Sequence, residues 1–89
     1  MKYEELLVDV SGLTPDELAA ACAVSCEWVE HHVREGLLDA DRASGTFRFT
    51  SVQLLRARRL ASIERMFDAN EEVAALVVDL IEELQRLRR

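Results

Sequence analysis

The sequence is poor in whatever loosens a chain or staples it. One proline and three glycines in 89 residues argue against disorder. Two cysteines, Cys22 and Cys26, are too few for a disulfide framework and read as small apolar side chains in a reducing compartment. No apolar run approaches the roughly 20 residues of a membrane span. The opening MKYEELL carries acids where a secretory leader carries bases. These absences predict a cytoplasmic domain with no membrane partner. Ser-His-Asp and phosphate-loop spacings are also missing, which points to a binding module and not to an enzyme, with no cofactor. A zinc site wants four ligands, and beyond the cysteines only His31 and His32 offer themselves. Adjacent helical residues point about 100° apart, so no metal is expected.

Basic residues are scarce in one half. Residues 1–45 hold Lys2, Arg34 and Arg42 against ten acids, whereas residues 46–89 hold eight arginines against seven acids. The net charge of −6 therefore resides in the first half. Such a surface suits a basic partner better than nucleic acid, whose phosphates dominate affinity.

What is present is mostly helix punctuation. Thr14-Pro15-Asp16-Glu17 supplies an N-cap, a proline at the first helical position and a capping-box acid. Ser25 caps a second helix, and Gly36 is suited to its left-handed stop. Thr50-Ser51-Val52-Gln53 repeats the capping box, and Asn70 caps a last helix with Glu71 and Glu72 at its positive end. Helices are predicted near 15–22, 26–35, 51–68 and 71–88. Thr46 to Phe49 alternates like a half-buried strand, with Phe47 and Phe49 inward and Arg48 outward. Residues 3–10 include a β-prone run that would pair with it. Cys26, Val29 and Val33 are expected in the core, with His32 beside them and Trp28 flanking. In the third helix the core set is Val52, Leu55, Leu60, Ile63 and Phe67.

The last helix carries more apolar surface than one neighbour covers. Leu76, Val77, Leu80, Leu84 and Leu87 are therefore expected at a homodimer interface.

Helix, EGLL, loop and strand over Ser25–Phe49 resemble the MerR family, a winged helix-turn-helix. Beyond it, VSCEWVEHHVREGLLD and TFRFTSVQLLRARRLASIERMFDANEEVAALVVDLIEELQRLRR resemble the MerR-like chaperone-modulator family, CbpM, over about 65 residues. The resemblance implies a mainly all-α single domain. Residues 1–49 would form a winged helix-turn-helix with a small two- or three-stranded wing, and residues 50–89 a C-terminal helical pair. It also implies binding to the J-domain of a CbpA/DnaJ-type co-chaperone, which would block stimulation of DnaK. J-domains present a basic helix, in line with the charge reading. The partner surface would comprise Glu27, Trp28, Glu30, His31, Arg34, Glu35, Leu38 and Arg48. The alternative is a MerR-type DNA-binding regulator. Against it, Glu27 and Glu30 stand where that pattern has basic residues. For it, Arg48, Arg56, Arg58 and Arg59 remain.

Overall fold

Four α-helices make up most of the described residues, which are 12–42, 47–68 and 70–88 of a computed structural model. They are α1 (Pro15–Cys22), α2 (Cys26–Arg34), α3 (Ser51–Phe67) and α4 (Glu71–Leu87). Local chemistry sets their starts. Thr14 Oγ1 accepts the Glu17 amide while Glu17 accepts the Thr14 amide, a complete capping box. Ser25, Thr50 and Asn70 cap the other three through the amides of Trp28, Gln53 and Val73. The second box is only half made. The Gln53 side chain accepts the Asp39 amide and so ties α3 to the preceding loop.

α1 packs on α2 and α3, and α3 packs on α4. Leu18, Val29, Leu38, Phe49, Leu60 and Val78 are the large side chains sealed at the centre. Of the core set expected on α3, Leu60 is sealed and Ile63 packs against the core, but the buried face is rotated away from the other three. Leu54, Ala57, Leu60 and Ala61 are buried, whereas Val52, Leu55 and Phe67 are 49–68% exposed. The small alanines let helices approach closely, a use of small residues that hydrophobic periodicity does not weight. Val29 is buried as expected, whereas Cys26 and Val33 are only half-buried.

The stretch before α3 forms two isolated antiparallel bridges, Leu13 with Phe49 and Asp41 with Arg48, and no strand among the described residues. Phe49 is sealed and Phe47 half-buried under the Arg42 guanidinium. The expected pairing with residues 3–10 lies outside the described residues, as does Thr46. Leu13 exchanges both backbone bonds with Phe49, at 2.8 and 2.9 Å. Gly12 makes this possible. Its φ is +106°, and a Cβ there would meet the Phe49 carbonyl oxygen at 2.7 Å.

Candidate partner-binding site on the second helix

α2 leaves α1 through Ala23, a non-glycine residue at φ 57°. It stops at Glu35 and Gly36, whose φ of +78° is the left-handed stop expected of it. No close backbone packing joins α2 to α3 or α4. Side chains make that connection. Trp28 Nε1 donates to Glu64 Oε1 at 2.9 Å, and His32 Nε2 lies 2.7 Å from Glu64 Oε2. His31 Nε2 reaches the Glu71 carboxylate of α4 at 2.6 Å. The Trp28 and His32 rings are stacked, with centroids 3.7 Å apart.

His32 is 2% exposed. Its Nδ1 is 2.7 Å from the Trp28 carbonyl, which can only accept, so Nδ1 donates. Nε2 meanwhile faces a carboxylate. Among the described residues no group of three such side chains is placed to hold a metal ion.

These contacts divide the expected partner set. Glu27, Glu30, Arg34 and Glu35 are exposed and form the outer face. His31 and Trp28 turn toward α3 and α4 and are only half-buried, so their edges border that face. Leu38 is 2% exposed and belongs to the core, which removes it from any contact surface. Residue 38 follows the helix stop, and the chain there folds under α2. Arg48 is half-buried, its backbone tied to Asp41.

Two clefts flank the outer face. One, of about 540 Å³, is lined by Ser25, Trp28, Ala61, Glu64, Arg65 and Asp68 among others. The other, of about 250 Å³, lies between Glu30, Val33, Arg34, Arg42 and Phe47. Arg42 was not anticipated there. It lies eight residues beyond the end of α2 and shares this cleft with Glu30 through the course of the loop.

Two of the four arginines of α3 are bonded within the molecule. Arg56 Nε donates to the Leu37 carbonyl at 2.7 Å, and its Nη1 reaches Asp79 and Glu82 of α4, both at 2.9 Å. Arg65 donates to the Cys22 carbonyl at the C-terminus of α1, which has no basic residue of its own in its last turn. Neither thiol is poised as a nucleophile. Burial pushes the Cys22 thiol up despite Arg58 and Arg65. The Asp16 carboxylate, which accepts the Cys26 S–H at 2.7 Å, pushes Cys26 up, as do desolvation and the charges of Glu30 and Glu27.

On α4, Leu76, Leu80, Leu84 and Leu87 are 58–71% exposed, and Val77 is half-buried. No helix of the described residues is long and apolar enough to cross a membrane. No protein-family model, curated protein or solved structure matches the chain.

Proposed function

We propose that this chain is a MerR-like winged-helix chaperone modulator that binds the basic helix of a CbpA/DnaJ-type J-domain and so limits stimulation of DnaK. The turn-linked α1 and α2 and the bridged loop before α3 support the winged-helix reading. One observation carries the functional one. The outer face of α2 exposes Glu27, Glu30 and Glu35 against Arg34 alone. Among the cations that would offset a DNA-repelling face, Arg56 and Arg65 are bonded to the protein's own carboxylates and carbonyls. A basic helix laid on that face gains Coulomb attraction, expressed chiefly as faster encounter. Each exposed pair contributes about 0.2–1 kcal/mol, so several must act together. The Trp28 edge, at the mouth of the larger cleft, supplies the apolar anchor.

The test is J-domain binding measured across salt, with duplex DNA in parallel. Glu27→Lys with Glu30→Lys is expected to weaken J-domain binding about tenfold or more, given two reversed charges, with circular dichroism unchanged. Unaltered J-domain binding would remove α2 from the interface. Tight DNA binding by the unmodified protein, with a steep salt slope, would favour a MerR-type regulator instead.

A further inference from the structure

The outer face of α2 is not acidic along its whole length. Glu27 and Glu30 stand in its first two turns, whereas Arg34 is its last residue and suits the negative end of the helix. The loop after Gly36 brings a second cation to that end. Arg42 lines the smaller cleft, of about 250 Å³, together with Glu30, Val33, Arg34 and Phe47. Its guanidinium carbon lies 4.7 Å from the centroid of the Phe47 ring, so the ring holds the group in place and leaves its N–H edge to donate. Both arginines are exposed, and neither pairs with a carboxylate among the described residues. Two guanidiniums against the single acid Glu30 leave the described lining of the cleft with one positive charge in excess.

Size narrows the occupant. Small-molecule sites run to about 300–1,000 Å³, so this cleft takes one side chain and not a cofactor. Charge narrows it further. A carboxylate accepts two parallel N–H bonds from a guanidinium fork, and two forks at one cleft can share it. Val33 and Phe47 supply apolar walls for the methylenes of that side chain and lower the local dielectric. Nucleic acid also offers anions, but its successive phosphates would lie against Glu27, Glu30 and Glu35. A protein with a single acid at this point avoids that repulsion.

We propose that the cleft between Arg34 and Arg42 receives an aspartate or glutamate side chain of a protein partner whose basic residues lie along Glu27 and Glu30. This acceptor site rests on the partner-binding role proposed for α2 and makes it more specific. The partner is not basic throughout but carries an acid about one helical turn beyond its bases. Glu30 and Arg34 are four residues apart, so about 6 Å along the α2 axis separates the two kinds of contact.

Arg34→Glu with Arg42→Glu tests this by the sign of its effect. An interface held only by negative charge would bind a basic J-domain more tightly once two acids are added. A seat for a carboxylate predicts the opposite, a loss of about tenfold, because two charge-assisted contacts become repulsive. The acid is then identified as the J-domain aspartate or glutamate whose change to lysine restores binding to this variant. Unchanged or tighter binding overturns the proposal. If the double variant does not fold, Arg34→Gln, a single exposed change, should weaken binding about threefold, and unchanged affinity overturns the proposal. Failure of the unmodified protein to bind a J-domain removes the function proposed for α2 and leaves the cleft to a direct test. N-acetylglutamate amide at millimolar concentrations should move the side-chain Nε–H resonances of Arg34 and Arg42 together and saturably, and N-acetylglutamine amide should move neither. If the glutamate compound moves neither, or the glutamine compound moves both alike, the cleft is no seat for a carboxylate.

Discussion

α2 and α4 are organised in opposite senses. α2 turns its aromatic and imidazole groups inward and its charges outward. α4 turns carboxylates toward its neighbours, with Glu71 on His31 and with Asp79 and Glu82 on Arg56, and leaves its leucines outside. The difference shows where stability resides. Attachment of α2 to the last two helices depends on a few polar bonds with little close packing behind them. Attachment of α4 depends on buried Ala74, Ala75 and Val78 and on ion pairs, so its mostly exposed leucines add little within one chain. Losing an acceptor under α2 should therefore hurt the fold, whereas losing a leucine from α4 should not.

Glu64→Ala gives the largest expected effect. It strips acceptors from Trp28 Nε1 and from the buried His32 ring at once. A loss of about 2–4 kcal/mol is expected in urea unfolding, since buried donors left unpaired cost most of their desolvation. The matched control is Leu84→Ala at a concentration too low for association. It should cost under about 1 kcal/mol, as surface substitutions do. If the two losses are equal, the contrast between the helices is wrong.

Ala23→Gly acts on the joint between α1 and α2. Ala23 sits in the left-handed region at φ 57°, which costs about 1–2 kcal/mol for a residue with a Cβ. Glycine removes that strain but loses more backbone entropy on folding, so a net gain of about 0.5–1 kcal/mol is expected. A variant with a lower unfolding midpoint would show that the α1–α2 turn is not where the chain is strained.

The smallest effect is chemical. In Asp16→Asn the carboxylate that raises the Cys26 thiol is gone, so that thiol should fall toward its ordinary range. More thiolate is then present at a given pH, and the alkylation profile of Cys26 should move to lower pH. Cys22, raised by burial, should remain slow in both proteins. An unmoved profile would mean that the Asp16 contact does not govern the thiol.

Helix positions were legible because caps are made by neighbours in sequence. Thr14, Ser25, Thr50 and Asn70 each bond an amide three residues on, and such chemistry needs no tertiary partner. The surplus of leucine on α4 was legible for a similar reason, since counting apolar residues on one helix requires only its period. The acidic residues of the outer α2 face were equally readable, as was the buried position of Val29.

Which face of α3 went inward was decided by tertiary structure. Val52, Leu55 and Phe67 outweigh Ala57 and Ala61 on any hydrophobicity scale, yet the alanines are buried because helices meet closely there. The use of Trp28 and His31 was decided the same way. On an isolated helix they border the charged face, and only Glu64 and Glu71, brought in from 36 and 40 residues away, turn them into ties to α3 and α4. Arg42 beside Glu30, and Leu38 beneath α2, likewise depend on where the loop after Gly36 runs. Sequence alone determines bonds within a turn and the balance of apolar and charged surface on each helix. Choosing which surface faces which requires contacts between residues far apart along the chain, and those exist only once the chain has folded.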